Sequence, residues 1–110
     1  MKQYELWWAK LPAPVGRRPV LLLTRDSAYS YLNKYVVAEV TTTVRGIVEE
    51  MTLGRAEGLP RRCAACFDNV RTIPKSALVR RIGQVAPSRY QEVKRALGYA
   101  LDWEELIDAV

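Results

Sequence analysis

The chain contains no histidine. The commonest general acid/base, the commonest zinc ligand and every Ser/His or Cys/His dyad are therefore excluded. Any catalysis must use Arg, Lys, Thr, Tyr or a carboxylate. Two local patterns could supply it. Gly16-Arg17-Arg18-Pro19-Val20 feeds two arginines into an apolar run, and Thr41-Thr42-Thr43 ends another. Both patterns put polar groups at a strand rim, where guanidiniums and hydroxyls reach phosphate without burial. Each alone reads more simply as a solvated strand end. Together they permit one chemistry, RNA transesterification. RNA carries its own nucleophile, the ribose 2′-OH. The protein need only align that group, neutralise charge growing on phosphorus and help the 5′-oxygen leave. An arginine and a threonine can do most of this without metal or cofactor. The arginine acts chiefly through its charge, because a guanidinium gives up its proton very reluctantly.

The charge distribution agrees. Seventeen Lys and Arg stand against twelve Asp and Glu, and four of the acids (Asp102, Glu104, Glu105, Asp108) fall in the last nine residues. Residues 1–101 thus hold seventeen bases and eight acids, a net charge of +9. Such an excess suits a polyanion, the plainer alternative being a basic surface kept for solubility. Trp7 and Trp8 are adjacent, so on a strand they face opposite sides. A core or subunit contact would account for both; an outward indole beside the arginines could instead stack on a base of single-stranded RNA. Cys63 and Cys66 form a C-x-x-C, but three residues along a strand separate Cα atoms by ~10 Å. A disulfide needs less than about 7 Å, and no second cysteine pair or histidine completes a zinc site. They read as buried structural thiols, with no metal.

A chain of 110 residues, 49% hydrophobic and 26% charged, is expected to form one globular domain spanning 1–110. Its longest apolar runs are four or five residues, against the ~20 a membrane-spanning helix needs. Met1-Lys2-Gln3-Tyr4-Glu5 is too polar to open a signal peptide, so a cytoplasmic location is expected.

Short β-type runs come first: Glu5–Lys10, Pro19–Thr24, Tyr35–Thr41, Ile47–Leu53, a broken pair Arg62–Phe67 and Val70–Ile73, and Leu78–Val85. Pro19–Thr24 is uninterruptedly apolar and reads as buried on both faces. Asp26-Ser27 suits the cap of a short helical turn, Arg45-Gly46 a turn between the third and fourth runs, and Gly54–Arg61 a loop. Ser88 with Gln91 fits a capping box opening a helix over 88–101, striped by Tyr90, Val93, Leu97, Ala100 and Leu101. Asp102 with Glu105 repeats the signature for a tail helix over 102–110 carrying Trp103, Leu106 and Ile107. Many short strands and one packing helix predict a small, strongly bent, SH3-like barrel over 3–86, a mainly β (α+β) fold. The acidic tail either caps the barrel with its apolar residues or acts as an internal competitor for the basic surface.

Collinear segments from Glu5 to Leu101 resemble the MazF/PemK toxin family. They are Glu5-Leu6-Trp7-Trp8-Ala9, Arg18-Pro19-Val20-Leu21, Val37-Ala38-Glu39-Val40-Thr41, Gly58-Leu59-Pro60-Arg61, Phe67-Asp68-Asn69-Val70-Arg71-Thr72-Ile73, Lys75 and Arg81-Ile82-Gly83. The resemblance implies a barrel of the MazF/CcdB toxin type, forming a homodimer with single-stranded RNA in a groove across it. It implies sequence-specific, metal-independent cleavage giving 5′-hydroxyl and usually 2′,3′-cyclic phosphate ends, and a cognate antitoxin whose tail threads the groove. The family's catalytic Arg before Pro-Val falls on Arg18, and its catalytic Thr at the end of the third strand falls on Thr41. Asn69 and Arg71 match its polar segment near the substrate. Arg17, Trp8 and Thr42 complete the expected RNA-contacting set.

Three departures stand out. The usual Arg-Gly-Asp opening is Gln3-Tyr4-Glu5, the first loop is shortened to Gly16-Arg17, and the chain continues past Leu101. Two other functions fit the same fold. A gyrase-poisoning relative would carry a terminal Trp-Gly-Ile run where this chain has Ile107-Asp108-Ala109-Val110. The other is a non-catalytic RNA- or DNA-binding barrel.

Overall fold

Leu21 packs on one side of its sheet while Val20 and Leu22 pack on the other, which accounts for the uninterrupted apolar run that contains them. In the computed structural model, which describes residues 1–108, that run lies in β2 (Arg17–Leu22). Around it are β1 (Glu5–Lys10), β3 (Lys34–Thr41), β4 (Glu50–Leu53), β5 (Cys63–Pro74) and β6 (Leu78–Gln84), followed by α1 (Tyr90–Leu101) and α2 (Glu104–Ile107). The six strands form one curled antiparallel sheet in the order β4-β5-β3-β2-β1-β6. The expected strongly bent, mainly β architecture with C-terminal helices is what forms, with the barrel curled only to a half-barrel whose edge strands are β4 and β6.

One face carries Leu6, Leu21, Ala38, Val40, Met51, Leu53 and Phe67, closed by Val93 and Ala96 of α1. The other carries Ala9, Val20, Leu22, Val37 and Ile73, closed by Leu11 and Val15 of the first loop together with Trp7 and Tyr29. Tyr35 is fully buried there and meets Tyr29 edge-on at 4.7 Å between ring centroids. Tyr4 stacks on Tyr90 at 3.6 Å, tying the chain before β1 to the start of α1.

Several local expectations are corrected. The runs at 62–67 and 70–73 are one strand, β5, not a pair. It is interrupted between Cys66 and Val70, whose partners Glu39 and Ala38 are consecutive on β3. Phe67 turns into the core while Asp68 and Asn69 bulge outward, which is why the hydrophobic pattern breaks there. β3 and β4 are not neighbours, because β5 lies between them. β4 is also shorter than expected. Ile47 and Val48 stay exposed, because the Glu50 carboxylate accepts the amide N–H groups of Arg45 and Gly46 and turns the chain back.

Neither capping signature operates. Pro87 opens a 3₁₀ turn over Pro87–Arg89, and α1 starts at Tyr90 with no side-chain cap. Its beginning is pinned by the Arg89 guanidinium, which donates to Glu57, Glu92 and the Thr52 carbonyl. The Gln91 amide nitrogen is enclosed without a hydrogen-bond partner rather than folded back onto the helix start. The turn expected to be capped by Asp26 is the 3₁₀ segment Asp26–Ser30, where Asp26 instead accepts the Gln3 N–H. Asp102 takes a left-handed conformation (φ 56°) that ends α1 instead of capping α2. Leu101 and Trp103 are about half exposed, so neither joins the stripe or the barrel cap expected of them.

Glycine ordinarily weakens a helix interior, but Gly98 is what lets the two C-terminal helices meet. A Cβ there would lie 2.8 Å from the Ile107 nitrogen and 2.9 Å from the Leu106 Cβ, so its bareness lets α2 fold back onto α1. Gly98→Ala is expected to loosen α2 by about 1–3 kcal/mol through overpacking. Hydrogen exchange should quicken at Trp103–Asp108 while the strand amides keep their protection; unchanged exchange in the tail would contradict this contact. The last two residues of the expected tail helix, 109–110, lie outside the described residues.

Candidate active site

Arg17, Arg18, Thr41, Asn69 and Arg71 lie on the three central strands, β5, β3 and β2, while Trp8 lies on β1 and Thr42 just past the end of β3. Alternation along β2 puts Arg18 on the same face as Val20 and Leu22. On β3, Val20 is opposite Glu39 and Arg71 of β5 is opposite Val37, so Arg71 and Glu39 share that face too. Continuing the β2–β3 register by two residues sets Arg18 against Thr41. Arg18, Glu39, Thr41 and Arg71 therefore lie on one side of the sheet, Arg18 and Thr41 at the end where β2 begins and β3 finishes, and Arg71 farther along, opposite Val37.

Glu39 is the centre of this group, and the sequence motifs did not single it out. Its Oε1 accepts Arg18 Nη1 at 3.1 Å, and its Oε2 accepts Arg71 Nη1 at 3.3 Å. The residue is only 8% exposed, while the Arg18 and Arg71 side chains are 34% and 37% exposed. A desolvated carboxylate thus holds two guanidiniums whose outer edges face solvent. The available signal was an acidic residue breaking the otherwise apolar Val36–Val40 run. A charge is not tolerated in a central strand unless it is paired.

Thr41 is half-buried, and its hydroxyl oxygen accepts the Thr43 N–H at 3.1 Å. The hydroxyl proton is left free to donate elsewhere. Asn69 sits exposed on the β5 bulge, apart from the paired arginines. Beside Arg71, a groove of about 410 Å³ continues past Lys10, Thr72 and Ser76. Lys10 extends the positive surface along it and was absent from the expected set.

The remaining candidates lie on the opposite face. Trp8 pairs with Pro19 and shares a side with Leu6 and Leu21. Its ring has the Arg17 guanidinium carbon 5.5 Å from the centroid, within cation–π range. Trp8, Thr42, Val40, Leu59, Pro60 and Arg61 line a pocket of about 250 Å³. The expected set is thus split, with Arg18, Thr41 and Arg71 on one face and Trp8, Arg17 and Thr42 on the other.

Trp7 is not free for a ligand. Its indole N–H donates to Glu5 Oε1 at 3.0 Å, and Arg81 Nε donates to Glu5 Oε2 at 3.0 Å. Burial alone would raise the Glu5 pKa. Those two donors and the Lys2 N–H outweigh burial and hold the carboxyl below its usual range. Among the described residues, no helix is long and apolar enough to cross a membrane.

The model of the PemK-like, MazF-like toxins of type II toxin-antitoxin systems matches residues 2–101. The chain belongs to this family. It is 39% identical over 99 residues to a probable endoribonuclease of Mycobacterium tuberculosis, MazF5, covering 89% of this chain and 90% of the relative. A second probable endoribonuclease of that organism, MazF2, is 41% identical over 98 residues, covering 88% of this chain and 94% of the relative. Among solved structures, the M. tuberculosis toxin MazF-mt6 superposes with a TM-score of 0.84 at 36% identity, covering 89% of this chain and 96% of that one. A mycobacterial endoribonuclease in complex with its cognate antitoxin has the same fold at 22% identity, with a TM-score of 0.80.

Within this MazF-like chain the departures now have structural content. Glu5, at the acidic position of the family opening, joins β1 to β6 through Arg81. The short first loop closes on itself through the Leu11 N–H and the Gly16 carbonyl at 2.9 Å, with Gly16 at a positive φ of 67°. That tight closure delivers Arg17 and Arg18 directly into β2.

Proposed function

We propose that this MazF-like protein is a sequence-specific, metal-independent endoribonuclease that cleaves single-stranded RNA by attack of the ribose 2′-OH. The observation that carries the reading is the grouping of Arg18, Thr41 and Arg71 on one sheet face around the buried Glu39. Arg18 and Arg71 receive the scissile phosphate on their exposed edges and neutralise the charge that builds on its non-bridging oxygens. Thr41 donates its free hydroxyl proton to one of those oxygens. The 2′-oxygen attacks phosphorus as its proton passes to solvent water, the P–O5′ bond breaks, and the departing 5′-oxygen takes a proton from water, giving a 2′,3′-cyclic phosphate and a 5′-hydroxyl.

Asn69 on the bulge, and Arg17, Trp8 and Thr42 across the rim, contact flanking nucleotides. The Trp8 ring and the adjoining pocket suit a stacked base. The protein works in the cytoplasm as a homodimer with the RNA groove shared between protomers, and a cognate antitoxin neutralises it by occupying that groove. The relatives' endoribonuclease names and the antitoxin-bound structure of the same fold support this reading.

The test is to incubate the purified protein with a long single-stranded RNA in excess EDTA and map the ends by primer extension. Cleavage at a short recurring sequence is expected. An intact RNA that is nonetheless bound would indicate a non-catalytic nucleic-acid-binding barrel. An RNA neither bound nor cleaved, with gyrase inhibited instead, would indicate the gyrase-poisoning function.

A further inference from the structure

Arg18 and Arg71 reach the same surface from strands on either side of β3. Two exposed guanidiniums side by side repel each other. Without a common anchor they would spread through many rotamers in solvent. Glu39, on the strand between them, offers one oxygen to each. Each arginine uses a single Nη1 for this contact, which leaves most of its five N–H donors free. With only 11% of its side chain exposed and both oxygens engaged, Glu39 is not itself placed to touch RNA.

We propose that Glu39 is the positioning residue of this active site, holding Arg18 and Arg71 as one preformed phosphate clamp. The inference rests on the endoribonuclease reading above. Ordering the two arginines before RNA arrives removes an entropic penalty from the chemical step, and misplacing a reacting partner by ~1 Å can slow a reaction ~10²-fold. Glu39 also lies two residues from Thr41 on the same face, about 7 Å along the strand. One strand therefore sets the spacing between the clamp and the hydroxyl. The arrangement opposes binding to turnover, because the negative charge that orders the arginines also offsets part of their attraction for phosphate.

Glu39→Gln preserves size and removes the charge, and its amide nitrogen would face a guanidinium donor to donor. In single-turnover cleavage the rate is expected to fall ~10–10²-fold. Affinity for an RNA made uncleavable by a 2′-deoxy substitution should hold or rise, most visibly at low salt. Glu39→Asp keeps the charge but is too short to span both arginines, and should give an intermediate rate. Thermal unfolding, followed in parallel, reports any loss of fold. A Glu39→Gln rate within twofold of wild type would overturn the proposal, as would equal losses of rate and affinity. If Glu39→Gln does not fold, Glu39→Asp decides the matter, and a wild-type rate there overturns it. A wild-type protein that cleaves no RNA would instead remove the functional reading.

Discussion

Arg18→Ala is expected to lower the rate of RNA cleavage by ~10²–10³, the usual consequence of deleting one preorganised charge contact to a transition state. The fold should survive. Arg18 is half-exposed, and Glu39 keeps Arg71 as an ionic partner, so no buried carboxylate is left unpaired. Thr41→Ala should act in the same sense, because it removes a hydroxyl at the rim and no core volume. The loss should appear mainly in the chemical step, with RNA affinity reduced less. Arg18→Ala with full activity would remove the mechanism. Arg18→Ala and Arg71→Ala together would strand Glu39, and that double variant should be markedly less stable than either single one.

Gly83→Ala is expected to destabilise the protein by about 3 kcal/mol, at the upper end of overpacking effects. β6 passes so close to the 54–61 loop that a Cβ at Gly83 would lie 2.0 Å from the Glu57 carbonyl oxygen and 2.9 Å from its carbon. Both are backbone atoms, and the loop cannot readily retreat. The Glu57 carboxylate accepts the Gly54 N–H and is ion-paired with Arg89, which also holds the start of α1. Denaturant unfolding should show the drop, while any folded fraction keeps the Arg18–Glu39–Arg71 group, since β1 stands between Gly83 and the strand of Arg18, and Gly83 contacts the 54–61 loop instead. Unchanged stability would mean that the loop yields and that the approach of β6 is not a constraint.

Much of this architecture was legible from hydrophobic patterning. Pro19–Thr24 read as a strand buried on both faces because it has no polar alternation, and β2 is such a strand. Pairing was harder to read. The runs before and after Arg45-Gly46 look like a hairpin, yet β5 intervenes, because a strand partner is chosen by long-range burial rather than by the nearest turn. The bulge in β5 imitated a loop, since Asp68 and Asn69 are exposed between buried Phe67 and the rest of the strand.

Capping motifs misled because a tertiary contact replaced the local one, Arg89 serving where Ser88 was expected. In the candidate site, arginines and threonines at strand ends announce themselves in sequence. Glu39 does not, because its meaning depends on two arginines from other strands, one 21 residues before it and the other 32 residues after it. The division of the candidates between two faces was likewise hidden, since adjacent residues such as Arg17 and Arg18 point oppositely only once the strand is drawn.

The mechanism requires that the RNA supply the nucleophile and the protein supply charge and alignment. It is tested most directly with a short RNA carrying one 2′-deoxyribose on the 5′ side of the mapped cleavage point, compared with its all-ribose twin in EDTA. The all-ribose strand should be cut to a 5′-hydroxyl product. The substituted strand should bind with similar affinity and remain whole at that bond. Cleavage of the substituted strand at the same bond and a comparable rate would contradict the account, because the nucleophile would then have to come from water or from the protein.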